Sequence, residues 1–177
     1  MALPDQAGDA DRRSRGARPE GAPGASPFPR GQGRSRRRPR AFPRAEAVSR
    51  VLVDSSAWID FLRGRPDAVR RVDGLLADDL AATAGVITAE VTSGSRTRME
   101  FDELRALFAA LPQVGAPLDL WERVAESRFT LARQGLQAHL VDLAIAVTAV
   151  ASGSRLLTRD RDFVAIARAT GVDLDVF

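Results

Sequence analysis

The fold is decided by the stretch Val51-Leu52-Val53-Asp54-Ser55-Ser56. Three consecutive apolar residues, with no polar alternation, read as a strand buried on both faces. The run ends abruptly in a carboxylate. A second junction of the same kind lies near the C-terminus, where Leu156-Leu157-Thr158 is followed after one residue by Asp160. Strands buried on both faces need helices on both sides, and the rest of the chain supplies them. The patterning predicts helices over 56–63, 66–78, 87–96, 99–110, 120–134, 140–151 and 161–169. Weaker strands are predicted over 80–84, around Val114 and over 172–176. Pro66 suits the first turn of the second helix, Asp119 is placed to cap the fifth, and Gly135, Gly153 and Gly171 stop three others. This alternation predicts an α/β protein with a central parallel sheet of about five strands between helical layers.

Outward from that core, the composition narrows the chemistry. The chain has 177 residues, no cysteine and one histidine, His139. Disulfide scaffolds, thiol catalysis, thiolate metal sites and multi-histidine zinc sites are therefore excluded within one chain. All 26 basic residues are arginine. Without lysine there is no P-loop lysine and no Schiff base. The net charge of +3 conceals a split. Residues 1–50 carry 12 Arg against 5 acids, and residues 51–177 carry 14 Arg against 18 acids. The basic character thus belongs to the N-terminal segment and the folded part is acidic.

Residues 1–49 read as a disordered Arg/Pro-rich tail, and residues 50–177 as the folded domain. The tail holds 7 of the 10 prolines and has too little apolar patterning to offset ordering entropy. Its run Arg34-Ser35-Arg36-Arg37-Arg38-Pro39-Arg40 suits RNA or acidic lipid, or is simply solvated; a translation start near Val48 is a further reading. No apolar signal segment follows Met1, and the longest apolar stretch, 140–151, is too short to span a membrane and carries Asp142. A cytoplasmic protein is expected.

Carboxylates are the remaining catalytic material. In open parallel sheets, ligands bind beyond the carboxyl ends of the strands, where Asp54 and Asp160 fall. Glu90 follows the weak second strand within Val86-Ile87-Thr88-Ala89-Glu90-Val91. Asp142 interrupts the apolar helix Leu140-Val141-Asp142-Leu143-Ala144-Ile145-Ala146. Ala138 and Ala146 share its helix face, and such small side chains let a helix approach the sheet closely. Four carboxylates gathered at one edge repel each other unless protonated or bridged by a cation. Hard ions such as Mg²⁺ or Mn²⁺ accept such oxygen donors, polarise a phosphodiester and acidify a water. Each acid also has a local reading. Asp54 and Asp160 suit helix caps, Glu90 a solvated helix charge, and Asp142 a buried pair with an arginine. Asp162, in a first helical turn, reads as a dipole-favouring acid.

These blocks resemble the PIN-domain family, and within it the VapC-like toxins of toxin–antitoxin pairs. Val51 to Ile59 looks like the family's first strand with its acid and following hydroxyl. Thr88 to Arg96 is similar to the segment with the second acid. Asp142 to Ala149 resembles the third-acid helix, and Leu156 to Phe163 the fourth block, whose first aspartate is the site acid. The resemblance spans about 50–177. It departs mildly where many members have Asp-Thr-Ser and this chain has Asp54-Ser55-Ser56. It implies a three-layer α/β/α PIN-like fold and a metal-dependent endoribonuclease. Carried over by position, Asp54, Glu90, Asp142 and Asp160 would be catalytic and hold Mg²⁺, with Mn²⁺ as a substitute. Ser56 and Thr158 would support them by orienting a carboxylate or a water. Similar toxins form homodimers and are silenced by a small VapB-like antitoxin. The alternative is a non-catalytic PIN-like module that binds RNA or protein.

Other residues are weighed more simply. Arg96, Arg98, Arg159 and Arg161 lie near the expected rim and suit RNA phosphates or plain solvation. His139 reads as a helix-start histidine with a possible phosphate contact. Trp58 and Phe61 share one helix face and read as core or dimer packing; Trp121 and Phe129 share another and read as core. A receiver-like domain is disfavoured by the missing lysine. A haloacid-dehalogenase-like phosphatase is disfavoured by Ser56 where an Asp-x-Asp motif needs its second acid, and a serine hydrolase by the absent Gly-x-Ser-x-Gly elbow.

Overall fold

In the computed structural model, which describes residues 50–177, β1 (Val51–Val53) is the middle strand of a five-stranded sheet. Leu52 and Val53 are wholly buried, as an unalternating apolar run requires. The chain continues through α1 (Ser55–Leu62) and α2 (Pro66–Ala77) to β2 (Ala81–Ala84), then α3 (Gly85–Ser93) and α4 (Arg98–Ala109) to the short β3 (Gln113–Val114). It returns through α5 (Leu120–Arg133) and α6 (Leu140–Ser152) to β4 (Arg155–Thr158), and ends with α7 (Phe163–Thr170) and β5 (Leu174–Val176). The expectations for residues 1–49 lie outside the described residues.

Strand order is β3-β2-β1-β4-β5, and every pairing is parallel. Val51 stands beside Ala81 on one side and Arg155 on the other, and Val53 beside Leu157. Helices α1–α4 pack among themselves, and so do α5–α7. That division follows from the topology. The chain leaves β1 toward β2 and β3, then crosses back to β4 and β5 on the other side. Same-handed crossovers running in opposite directions cover opposite faces of the sheet. The strand order therefore reverses between β1 and β4, and a crevice opens at their carboxyl ends.

Residue size explains why β2 is hard to see in the sequence. Ala81-Ala82-Thr83-Ala84 has little β preference, yet all four residues are buried. Trp58 is 1% exposed and packs edge-on against Phe61 and Phe108; it belongs to the core, and the half-buried Phe61 lies against it. Gly153 and Gly171 end α6 and α7 with φ of +70° and +75°, a conformation that a side chain disfavours.

Two expectations are corrected. Asp119 precedes α5 but its carboxylate makes no cap hydrogen bond; it pairs with Arg123 at 3.0 Å, one helical turn on. Trp121 and Phe129 do share a face, but it is the outward one: they are 66% and 67% exposed. Val124 and Leu131 are the residues that α5 buries. Eight-residue spacing shows that two residues share a side, not which side meets the core.

Candidate active site at the ends of β1 and β4

Asp54 leaves β1 in extended conformation and begins α1, where its Oδ2 accepts the Ser56 backbone N–H at 3.2 Å. The local cap reading is thus correct, but it is a small part of the arrangement. The same oxygen accepts the Ser56 hydroxyl at 2.6 Å and the Thr158 hydroxyl, from the end of β4, at 2.9 Å. Both hydroxyls also accept. Ser56 Oγ receives the Arg159 N–H at 3.0 Å, and Thr158 Oγ1 receives the Asp160 N–H at 3.0 Å. Each hydroxyl has one proton, and both protons are spent on Asp54. The carboxylate, 2% exposed, is therefore clamped through Oδ2 by partners from the first turn of α1 and the end of β4. Its Oδ1 accepts no hydrogen bond among the described residues.

Asp160 follows in the turn after β4, where its Oδ1 accepts the Asp162 N–H at 2.8 Å. Glu90 comes from α3 and is half-buried. Its Oε2 is buried and accepts no hydrogen bond. Burial raises the carboxyl's pKa, the Ser55 side chain pulls it the other way, and the charge of Asp54 raises it further. Asp142 lies in the first turn of α6, whose buried Ala144, Ala146 and Ala149 let the helix sit close. Its pKa is pushed up to about 6, first by burial and then by the charge of Asp160; Asp54 and Glu90 add to the rise, and only His139 opposes it. Among the described residues no arginine pairs with it. All four acids predicted from the sequence thus fall within one electrostatic field, delivered by four separate elements.

Asp142 also opens onto a groove of about 660 Å³, lined by Arg128, Gln137, His139, Val141 and Asp162 among others. Among the described residues, no three His, Cys, Asp or Glu side chains stand close enough to ring an ion directly. The donor set is nevertheless all oxygen, excessively negative, and leaves one buried carboxylate oxygen unpartnered. Those properties suit a hard divalent cation that keeps part of its water shell, Mg²⁺ more than Zn²⁺. Asp54 through Oδ1, Glu90, Asp142 and Asp160 are the residues that could hold it.

The rim is less simple than sequence reading suggests. Arg159 pairs with Asp60 at 3.2 Å and lies over the Phe177 ring, and Arg98 is held by Asp102. Arg96 and Arg161 make no ion pair among the described residues. Ser55 is the participant that sequence reading passed over; its only signal is adjacency to Ser56. The second role of Arg159, its main-chain N–H on Ser56, has no sequence signal at all.

Comparisons with known proteins agree with this architecture. The PIN domain family profile matches residues 51–169. VapC ribonuclease Mb1587 of Mycobacterium bovis is 30% identical over 132 residues, covering 72% of this chain and 98% of that protein. Ribonuclease VapC11 of Mycobacterium tuberculosis matches equally. The fold is shared with VapBC2 of Rickettsia felis, solved bound to a promoter DNA fragment, at a TM-score of 0.60 and 18% identity over 72% of this chain and 98% of that one. It is shared also with VapBC-5 of M. tuberculosis, at 0.54 and 23% over 73% and 99%. Among the described residues no helix is long and apolar enough to cross a membrane. With the family profile matched over residues 51–169 and a 30%-identical relative covered over nearly its whole length, the chain belongs to the PIN-domain family.

Proposed function

We propose that this chain is a Mg²⁺-dependent endoribonuclease, the toxin of a VapBC-like toxin–antitoxin pair, with its activity in residues 50–177. One observation carries the reading: among the described residues the carboxylate of Asp142 has no arginine partner, and it sits in the joint field of Asp54, Glu90 and Asp160 with His139 alone opposing them. A purely structural site would relieve that cost with an arginine, since burying unpaired like charges costs stability. The relatives named as ribonucleases support the substrate, and the VapBC complexes of the same fold support a VapB-like partner.

Bound Mg²⁺, for which Mn²⁺ would substitute, supplies Lewis acidity toward a phosphodiester oxygen and acidifies a water for attack. The chain's own work is placement. Ser56 and Thr158 lock Asp54 so that Oδ1 keeps one direction. Asp160 is locked by the turn it closes. Glu90 through Oε2, and Asp142, make no hydrogen bond among the described residues and stay free to accept the ion or its waters. His139 and Arg161, at the edge, are placed for phosphates of the RNA strand.

The test is cleavage of a structured RNA by antitoxin-free protein, with and without Mg²⁺. We expect cutting that EDTA abolishes and that Asp142→Asn lowers at least a hundredfold. Equal cutting by wild type and Asp142→Asn would remove the assigned site. RNA binding without metal-dependent cutting would favour the non-catalytic module.

A further inference from the structure

We propose that Phe177 is a positioning residue for the metal-binding carboxylates, fixing the hold on Asp54 through Arg159 and the Thr158–Arg159 peptide. The inference rests on the metal-site reading above and adds a residue that lies outside it. β5 runs beside β4 with Val176 opposite Thr158, so Phe177 stands level with the turn that carries Arg159 and Asp160. Asp175 and Phe177 are two apart in an extended segment and point to one side of it. Arg71 of α2 reaches both: its Nη1 lies 2.7 Å from the Asp175 carboxylate, and its guanidinium carbon 4.9 Å from the centre of the Phe177 ring. The Arg159 guanidinium carbon lies 5.2 Å from the same centre, and its Nε 3.2 Å from Asp60 of α1. Each cation on the ring thus has its own carboxylate, and the cluster as a whole is neutral. An aromatic face attracts a guanidinium through its quadrupole, more strongly where water is partly excluded. Phe177 is half-buried and packs against the core.

The cluster meets the site at one peptide unit. The Thr158 carbonyl accepts the Phe177 N–H at 3.2 Å, and the N–H of the same peptide, that of Arg159, donates to Ser56 Oγ at 3.0 Å. Phe177 therefore holds this peptide twice, by its own main chain and through the Arg159 side chain. The peptide's orientation matters because a hydroxyl has one proton. With the Arg159 N–H aimed at its oxygen, Ser56 turns that proton to Asp54 Oδ2, at 2.6 Å. Thr158 Oγ1 does the same at 2.9 Å while it receives the Asp160 N–H at 3.0 Å. Rotation of the peptide would release the Ser56 hydroxyl and leave the Oδ2 clamp one hydroxyl short. A part-exposed ion pair contributes little to stability. The cluster's effect is therefore on the orientation of the peptide, more than on whether the chain folds.

The full chain without antitoxin serves for the test. Phe177→Leu keeps the main-chain N–H and an apolar contact but loses the ring face. Arg159→Met keeps the stem and the N–H but loses the charge. In metal-free protein each should speed hydrogen exchange at the Arg159 amide about fivefold. Calorimetry should show Mg²⁺ affinity falling about fivefold for either variant. The double variant should be no worse than the poorer single, because both act through one peptide. Phe177→Tyr should stay within about twofold of wild type, and the KM for RNA should not move in any of them. If Phe177→Leu fails to fold, Asp60→Asn takes its place and should match Arg159→Met. An unmoved Arg159 amide, additive losses or a Phe177→Tyr variant as weak as Phe177→Leu would each overturn the proposal. So would a lowered melting temperature with unmoved Mg²⁺ affinity, which would make the ring merely structural. A raised KM with unmoved Mg²⁺ affinity would overturn it too, and make Arg159 an RNA contact. Wild type that binds no Mg²⁺ would sink the nuclease reading and this role together, whereas Mg²⁺-dependent cutting by wild type with unmoved variants would sink this role alone.

Discussion

Replacing Asp142 by Asn should make the protein more stable above neutral pH, although the residue is retained in a folded domain. The Asp142 carboxyl is raised from its ordinary 3.8 to about 6 in the folded state. An acid whose pKa rises on folding favours the native state when protonated. Its contribution is fully present below the unfolded value near 4 and is lost as pH rises through about 6. The full span amounts to about 3 kcal/mol at roughly 1.4 kcal/mol per pH unit. Because the carboxyl is only half-buried, solvent screening reduces this to about 1 kcal/mol. For a domain of this size that is roughly 3–5 °C in melting temperature. Asn keeps the shape and removes the charge. In metal-free buffer with chelator, Asp142→Asn should melt about 3–5 °C above wild type at pH 8, and at nearly the same temperature at pH 4. Adding Mg²⁺ at pH 8 should raise the wild type and leave the variant almost unmoved, since a ligand stabilises only the state that binds it. A variant that is no more stable than wild type at pH 8, or whose advantage does not vary with pH, would show that these carboxylates do not share a field.

Three further outcomes follow from the same geometry. Asp54→Asn keeps an oxygen for the three donors on Oδ2 but loses the charge, so calorimetry should show Mg²⁺ affinity falling at least tenfold with little change in melting temperature; unchanged affinity would take Asp54 out of the ligand set. Thr158→Val is nearly isosteric and strips a buried hydroxyl from Asp54 and from the Asp160 N–H; urea unfolding should show a loss of about 1–3 kcal/mol, and a loss below about 0.5 would mean that the clamp is not stabilising. Gly153→Ala meets open space but must hold φ at +70°, so it should cost about 1 kcal/mol, read the same way; a neutral result would mean that α6 ends differently.

How much of this was legible in the sequence depends on the range of the contact that decides it. The order of elements came through, with ends displaced by up to three residues, because strands 51–53 and 156–158 announce themselves by local apolar runs and the helices by glycine and proline punctuation. The acids were legible for the same reason: Asp54 and Asp160 sit where a short strand stops, and Asp142 breaks an apolar helix. Such signals survive in one dimension because neighbours along the chain create them.

Only the tertiary structure decided the rest. That Asp54 is clamped through one oxygen and open at the other depends on Thr158, 104 residues away. That Arg159 is paired to Asp60 while Arg161 is not depends on how the end of β4 lies against α1. Trp121 and Phe129 face water because Val124 and Leu131 win the core, a competition between faces that periodicity cannot rank. The sequence alone determined which chemical groups are present and that strand ends would carry them, since backbone geometry imposes this locally. Their directions, partners and charge states arose only when distant segments packed together, because burial and Coulomb energy depend on distance in space and not along the chain.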